Sequence, residues 1–291
     1  MRALRLFSCA GLLGLLLPPW ANAQDVVVTA GPEGAYYHTL GGRLEAALRN
    51  EYGTRVEVRT SQGSLENLAR LDDPSNPANV GLTQADALRH YIDAHDAFAE
   101  TFIVLADVGK ECAFIIAGKN GGIASAADLK APGKRTLSVG DAQSGAAITY
   151  EYMSRLDPGF RNTAVVHVGM MEALLQIKAG GEFATLDAAM LVQRPRITSP
   201  PLKAVLDNLD TYRVVPIRSG DLGNAALPGG RPVYSFETVT VGFGRDHSVT
   251  FDTLCTPGLL IAVKPKLDPK TLDELAKVIL SRSNDIMPSL D

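Results

Sequence analysis

The sequence predicts a two-lobed α/β fold in which each lobe is a mainly parallel sheet flanked by helices, with hinge strands joining the lobes. Three observations predict it. Short apolar runs alternate with helical patterns through the first hundred or so residues, the alternation restarts after a glycine-rich break at residues 119–122, and a late apolar run at 259–263 precedes a final helical pattern. A chain that leaves one lobe, builds a second and returns creates a cleft between them, and such clefts are preferred ligand sites.

The first 23 residues are predicted to be a cleaved secretory signal peptide. Arg2 and Arg5 precede an apolar run at residues 11–17, and a proline pair and a small-residue site follow at residues 18–19 and 21–23. The run is shorter than the roughly 20 residues that cross a bilayer, and no later segment is apolar enough to do so. We therefore expect a periplasmic protein whose mature chain does not insert directly into the membrane.

Composition and charge narrow the class of protein. The formal net charge is −4, and the 28 Lys and Arg residues are scattered along the sequence. No basic stripe is available for nucleic acid or acidic lipid, so neither is an expected partner. Removal of 23 residues from 291 leaves 268, a length that suits one large or two medium domains.

The sequence lacks the usual motifs for metals and nucleotides. The five histidines form no H-E-x-x-H motif, and the spacing of His90 and His95 does not place them on one helical face. No G-x-x-x-x-G-K-[ST] motif occurs, and no G-x-G-x-x-G motif opens the first helix. We therefore expect no bound metal and no cofactor.

The first lobe is predicted to comprise residues 24–117 and 255–291. In its first helix the apolar residues Leu40, Leu44 and Leu48 step by four, which predicts one face buried against the sheet. Near the end of the chain, Asp268-Pro269 opens a helix with proline at its first position. The remaining patterns predict strands at residues 25–29, 55–59, 79–83 and 101–107, and helices at 35–51, 64–71 and 84–97.

The second lobe is predicted to comprise residues 118–254. It repeats a unit of strand, turn and helix, which is typical of parallel sheets. The patterns predict strands at residues 136–140, 164–168, 188–191 and 212–215, and helices at 144–156 and 171–179. Residues 219–245 are rich in Gly and Pro and are predicted to be poorly regular.

Cys112 and Cys255 are the two cysteines that follow the predicted signal peptide. Each precedes an apolar strand candidate, at residues 113–117 and 259–263, and neighbouring strands would bring the two close. An oxidising compartment permits a disulfide between them, whereas two buried thiols are the alternative. The sequence leaves both open.

Two glycine turns in the first lobe are candidates for a ligand-binding site. Residues 31–37 follow the first strand, and residues 60–67 follow the second. Each turn leaves unpaired backbone N–H groups at a helix start, where the helix dipole also favours negative charge. Together they could cradle a small anion.

Four side chains near such turns have alternative interpretations. Ser64 and Ser144 could each be the N-cap of a helix, a ligand contact, or both. Tyr36 and Tyr37 could belong to the core, but a ring at a loop-to-helix junction often faces a cleft with its hydroxyl unoccupied. We expect at least one of the two tyrosines to line the site.

An enzyme that uses the same cleft is the less favoured interpretation. Residues 140–145 resemble a nucleophile elbow only loosely, because alanine stands two positions before Ser144. A hydrolase would also need a base beside that hydroxyl, and no histidine is obviously placed there. We expect no catalytic residue and no enzyme activity.

The same residues resemble the TAXI family, the solute-binding proteins of one class of tripartite ATP-independent periplasmic (TRAP) transporters. The resemblance is carried by residues 29–37, Gly41-Gly42, residues 63–68 and residues 81–86. In the second lobe it continues through residues 123–130, 138–140 and 144–145. It covers most of the mature chain.

The resemblance implies a type II periplasmic-binding fold that closes on an organic anion. It points to the turn from Gly34 to Tyr37, to Gly63 and Ser64, to Gln84, and to Ser144 and Gly145 as the cleft lining. The full set of predicted ligand-binding residues is Gly34, Ala35, Tyr36, Tyr37, Gly63, Ser64, Gln84, Ser144, Gly145, Ala146, Gln193 and Arg194.

Arg194 is a separate hypothesis. Residues 193–196 stand where the family usually shows a glycine-proline turn. The Arg194 guanidinium, near a strand end of the second lobe, could bind a carboxylate in a bidentate geometry that lysine does not match. The alternative is a solvated loop arginine.

These observations predict a solute-binding subunit of a TRAP transporter. Its partners would be a small anionic solute, a dicarboxylate or an acidic amino acid such as glutamate, and the membrane permease subunits to which the solute is delivered. The alternative is a periplasmic sensor that docks on a membrane signalling protein, and neighbouring genes would distinguish the two.

Overall fold

The computed structural model describes residues 25–133, 135–179, 184–196, 199–242 and 247–287. The predicted signal peptide lies outside these residues. Within them, no helix has the length and apolar character needed to span a membrane.

The described chain contains ten strands and nine α-helices. The strands are β1 (Val26–Thr29), β2 (Val56–Arg59), β3 (Val80–Gln84), β4 (Phe102–Gly118), β5 (Arg135–Ser138), β6 (Thr163–Val166), β7 (Ala188–Gln193), β8 (Tyr212–Val215), β9 (Ser235–Gly242) and β10 (Ser248–Val263). The helices are α1 (Tyr36–Tyr52), α2 (Ser64–Asp72), α3 (Ala85–Ile92), α4 (Ala126–Lys130), α5 (Gly145–Leu156), α6 (Met170–Ala179), α7 (Pro200–Leu206), α8 (Pro269–Ser281) and α9 (Ser283–Ile286).

The first lobe is built on parallel strands in the order β2-β1-β3, to which β10 adds an antiparallel neighbour. The apolar face of α1 packs into this lobe through Leu40, Leu44 and Leu48, all of which are fully buried. The late helix α8 joins the same core through Leu275 and Val278. The end of the chain therefore packs against its beginning.

The second lobe is built on parallel strands in the order β7-β5-β6, to which β4 adds an antiparallel neighbour. On one side its core contains Phe114 and Ile116 of β4, together with Leu202 and Val205 of α7. The parallel order places the carboxyl ends of β5 and β7 at one edge of the sheet.

Two long strands connect the lobes. The first part of β4 pairs with β10 from Phe102 to Cys112, and its last part, Cys112 to Ala117, pairs with β7. The sequence predicts separate short strands at 101–107 and 113–117, because polar residues interrupt the apolar pattern between them. Pairing on both sides of β4 outweighs that local preference and makes one strand of 17 residues.

Cys112 and Cys255 lie directly opposite each other on β4 and β10 and form a disulfide. Both residues are fully buried. The bond spans 143 positions of sequence and joins the two long strands where they pass between the lobes.

Two further predicted elements differ from the structure. The helix predicted at 84–97 is shorter, because Gln84 ends β3, α3 covers only Ala85–Ile92, and a 3-10 helix follows at Asp96–Glu100. The stretch predicted to be poorly regular contains β9, which pairs with β10 along its whole length. Pairing with β10 stabilises β9 as a strand, although its local sequence pattern does not predict one.

Candidate functional site

Three turns of the first lobe meet at one edge of its sheet. The loops after β1, β2 and β3 each lead into a helix, and parallel strands place their carboxyl ends together. The N-cap positions of α1, α2 and α3 are Ala35, Gly63 and Gln84, and none of them provides a side-chain hydrogen bond to its helix. The first-turn N–H groups of these helices are therefore not capped by the residues at those positions.

Gly34 shapes the first turn. Its φ of +78° lies in the left-handed region, which glycine adopts without the steric cost of a Cβ atom. The residue is exposed, and no atom lies within 4 Å of the position that a Cβ would occupy. Gly34 therefore directs the chain into α1.

Tyr36 and Tyr37 both face the interior of the site. The Tyr36 hydroxyl donates a hydrogen bond to the carbonyl of Val108 on β4, at 3.0 Å. Tyr37 is buried, and its hydroxyl lies against Gly258 of β10 without a hydrogen-bond partner. Burial raises the pKa of both tyrosines, so both hydroxyls are protonated donors at neutral pH.

Ser64 is not the N-cap of α2, which was one of its alternative interpretations. Gly63 occupies the N-cap position with φ +151°, and Ser64 is the first helical residue. The buried Ser64 hydroxyl instead accepts a hydrogen bond from the backbone N–H of Gln84, at 3.1 Å. This bond ties the start of α2 to the end of β3.

Gln84 lies where the two lobes meet. A Cβ at Gly145, the first residue of α5, would stand 2.7 Å from the Gln84 amide oxygen, so a larger residue there would have to displace the Gln84 side chain. A Cβ at Gly63 would likewise stand 3.2 Å from the carbonyl oxygen of Gln143. Residues of the first lobe therefore contact the turn before α5 directly, and the cleft is closed here.

Ser144 is the N-cap of α5, as predicted. Its hydroxyl accepts from the N–H of Ala147 at 3.2 Å and donates to the carbonyl of Val139 at 2.8 Å. A hydroxyl whose proton is held by a main-chain carbonyl is not activated as a nucleophile. Ala146, the next predicted site residue, is buried beside Gly145.

Arg194 crosses from the second lobe to the first. It follows Gln193, the last residue of β7, which lies opposite Cys112 of β4. The guanidinium stacks on the Tyr36 ring with Cζ 4.0 Å from its centroid, and it lies against Gly109 of β4. Arg194 is only partly exposed, so it is not a solvated loop arginine.

Glu111 belongs to this site, although no sequence pattern singled it out. It lies on β4 beside the disulfide, and burial of its carboxyl, reinforced by the charge of Asp86, raises its pKa to about 7. The Tyr37 hydroxyl, the Gln84 amide and the Arg194 charge offset part of that rise. An acidic residue directly before Cys112, which precedes the apolar run at 113–117, was the available sequence signal.

Several polar atoms of the site are buried without a hydrogen bond of normal geometry. In the part of the chain that the structure describes, six buried side-chain polar atoms lack a hydrogen-bond partner. Five of them belong to site residues or to the adjoining loop after β2, namely Tyr37 Oη, Ser61 Oγ, Gln84 Oε1 and Nε2, and Arg194 Nη1. Buried polar groups are normally satisfied, so this concentration distinguishes these residues from the rest of the described core and makes them the candidate site.

A satisfied network lies directly behind this cluster. Asp86 on α3 is fully buried and accepts from the Thr149 hydroxyl at 2.6 Å, the Tyr234 hydroxyl at 3.1 Å and the N–H of Ala87 at 2.8 Å. Thr149 lies on α5 and Tyr234 precedes β9. Burial raises the pKa of Asp86, and these hydrogen bonds offset part of the rise.

The sequence of this chain matches a family profile over almost its whole length. The profile of the NMT1-like family matches residues 27–289, which include every residue of the site. The chain belongs to the NMT1-like family. No curated protein matches this NMT1-like chain by sequence.

Several solved structures resemble this NMT1-like protein at low identity. XAC2383 from Xanthomonas citri bound to chloride ion has 12% identity and a TM-score of 0.52, with 91% of this chain and 86% of that chain covered. The amino acid ABC transporter substrate-binding protein AbpA from Streptococcus pneumoniae, bound to L-arginine, has 15% identity and a TM-score of 0.46, with 91% and 93% covered.

The periplasmic domain of BvgS from B. pertussis has 14% identity and a TM-score of 0.49. It covers 91% of the NMT1-like chain, which spans only 41% of that domain. The likeness to XAC2383 concerns the fold alone. The predicted fold class is confirmed, because the chain has the two-lobed α/β architecture of type II periplasmic binding proteins.

Proposed function

We propose that this protein is the extracytoplasmic solute-binding subunit of a TRAP transporter of the TAXI type. It captures a small organic anion, a dicarboxylate or an acidic amino acid such as glutamate, in the cleft between its lobes. It then presents the ligand to the permease subunits of the membrane. In this proposal the protein acts in the periplasm after its signal peptide is removed, and it is not an enzyme.

One observation carries the proposal. The unpaired polar atoms of Tyr37, Gln84 and Arg194 converge between the lobes. A carboxylate bound there would accept from the Arg194 guanidinium, the Tyr37 hydroxyl and the Gln84 amide, and charge-assisted bonds of this kind are the strong ones. The uncapped starts of α1 and α2 add backbone donors at the same edge of the sheet.

The lobes provide the conformational change that a delivery protein needs. We place the first lobe at residues 24–117 and 255–291 and the second at residues 118–254, with β4 and β10 as the hinge. A ligand that touches both lobes binds the closed state more tightly than the open one and so shifts the population toward closure. The permease would then recognise the closed form, in which the site holds its ligand.

The chemistry of the site supports binding rather than turnover. The Ser144 hydroxyl donates to a main-chain carbonyl, and no base is paired with it. Among the described residues, no cluster of His, Cys, Asp and Glu is arranged to hold a metal ion. The site can orient and desolvate a ligand.

Native mass spectrometry of the freshly purified protein tests the proposal. A co-purified small acid, or a large selective rise in melting temperature with glutamate, glutamine, 2-oxoglutarate or C4 dicarboxylates, is the expected result. Gln84→Ala should lose that rise, whereas Gln176→Ala, at a partly exposed glutamine on α6, should keep it. A folded, ligand-free protein that no acid of the panel stabilises would contradict the proposal.

A further inference from the structure

The Glu111 carboxyl lies beside the Tyr37 hydroxyl and the Gln84 amide. Neighbouring side chains on a strand point to opposite faces, and Lys110, the residue before it, pairs with Glu237 of β9. Glu111 therefore faces the other way, toward Tyr37 and Gln84, and both of these modulate its pKa. Glu111 directly precedes Cys112, whose disulfide with Cys255 joins the two hinge strands.

No group in the described part of the chain forms an ion pair with Glu111. Arg194 is near enough for its charge to act on the carboxyl, but its guanidinium is held against Tyr36 and Gly109. The Tyr37 hydroxyl and the Gln84 amide lie near enough to the carboxyl to lower its pKa as donors, but neither makes a hydrogen bond of normal geometry with it. The Asp86 carboxylate, in contrast, accepts hydrogen bonds from three donors.

We propose that Glu111 recognises an ammonium group of the ligand, so that the cleft selects an α-amino acid over the oxo acid or dicarboxylate of the same length. This inference rests on the proposed function, because it assigns the ligand class of the same site. An amino acid supplies a carboxylate for Arg194 and a cation for Glu111. A ligand that carries only carboxylates leaves the Glu111 charge buried beside a like charge, which is unfavourable.

Matched ligand pairs test this assignment by isothermal titration calorimetry at pH 8. The pairs are L-glutamate with 2-oxoglutarate, L-aspartate with oxaloacetate, and L-leucine with 4-methyl-2-oxopentanoate. For at least one pair, the wild-type protein should bind the amino acid at least about tenfold more tightly than its oxo acid. This comparison requires no variant and does not depend on a mutant that folds.

Two glutamate variants then locate the effect. Glu111→Gln should weaken binding of the preferred amino acid by about tenfold or more and leave the oxo acid within about threefold. Glu237→Gln, an acid on β9 that pairs with Lys110 on the opposite face, should change neither affinity. The melting temperature of each variant without ligand verifies that it is folded.

The outcomes distinguish the ammonium assignment from the proposed function. If the wild-type protein binds the oxo acids as tightly as the amino acids, or if Glu111→Gln weakens both equally, the ammonium assignment is overturned and the proposed function stands. In that case a protonated Glu111 that donates to a carboxylate would explain the site. If none of the six compounds and no C4 dicarboxylate binds to the folded protein, the proposed function fails and the assignment fails with it.

Discussion

The Arg194 guanidinium stacks on the ring of Tyr36, with its central carbon 4.0 Å from the ring centroid. Tyr36 begins α1 of the first lobe, and Arg194 follows β7 of the second, so this contact bridges the cleft. A cation held over an aromatic ring is positioned without losing its charge, and one of its terminal nitrogens, Nη1, has no partner. The arrangement leaves that nitrogen available to an anion between the lobes.

Replacement of Arg194 should therefore weaken ligand binding. We expect Arg194→Ala to raise the dissociation constant at least tenfold, which corresponds to about 1.4 kcal/mol. Arg194→Lys should recover little of this, because an ammonium neither stacks as a plane nor binds a carboxylate in a bidentate manner. Titration calorimetry measures both. Arg218→Ala, which removes an exposed ion pair with Asp252, is the control, and equal affinities for Arg194→Ala and this control would rule out the arginine clamp.

Gly145 should be required for closure of the cleft. A methyl group there would stand 2.7 Å from the Gln84 amide oxygen, so Gly145→Ala should displace that amide or hold the lobes apart. We expect the variant to fold and to bind ligand about tenfold more weakly. The matched control is Gly169→Ala, because no atom lies within 4 Å of its added methyl group. Wild-type affinity in Gly145→Ala would show that this contact does not support the bound state.

Removal of the disulfide should destabilise the protein. The bond between Cys112 and Cys255 closes 143 positions of sequence, and loss of such a crosslink costs about 3–5 kcal/mol of unfolding free energy. Urea unfolding of a Cys112→Ala/Cys255→Ala double variant measures the loss. The wild-type protein treated with reductant should approach the same stability, and a reductant effect of similar size on the double variant would point to another cause.

Glu111 should make the stability of the ligand-free protein depend on pH. Burial and the charge of Asp86 raise its pKa from 4.5 to about 7, so the folded state binds more protons than the unfolded state between those values. The free energy of unfolding should therefore fall as the pH rises from 4.5 to 8, and the Glu111 contribution is at most about 3 kcal/mol. Relative to wild type, Glu111→Gln should gain stability at pH 8 and little at pH 4.5, as urea unfolding at both values would show.

Glu237→Gln is the control with the opposite sign. Burial acts to raise the pKa of Glu237, but hydrogen bonds from Lys110 and Ser235 outweigh it and lower the pKa below its ordinary value. Its ionised form therefore stabilises the fold above pH 4.5, and that contribution disappears as the pH falls. The variant should be less stable than wild type at pH 8. Identical pH profiles for the two glutamine variants would contradict the environment described for Glu111.

The elements of the first lobe were predictable because local pattern and tertiary contact agree there. The four-residue spacing of Leu40, Leu44 and Leu48 predicted the buried face of α1, and the glycine turns at Gly34 and Gly63 marked the ends of β1 and β2. Ser144 was predictable as an N-cap for the same reason, since an N-cap depends on its own helix alone.

The parts that the sequence did not predict depend on distant pairing. β4 runs through the polar segment at residues 107–111 because β10 and β7 pair with it in turn, and no local pattern reports those neighbours. The Ser64 hydroxyl binds the N–H of Gln84 instead of capping its own helix, because the loops after β2 and β3 meet in space. Glu111 became a site residue only when Tyr37, Gln84 and Arg194 were brought around it.

A crystal structure of the protein with its co-purified or titrated ligand would decide whether the cleft is the binding site. We expect a small organic acid enclosed between the lobes, with its carboxylate within hydrogen-bond distance of Arg194 and of the Tyr37 hydroxyl or the Gln84 amide. A ligand bound elsewhere on the molecule, or an enclosed ligand that makes no polar contact with these three side chains, would contradict the proposed site.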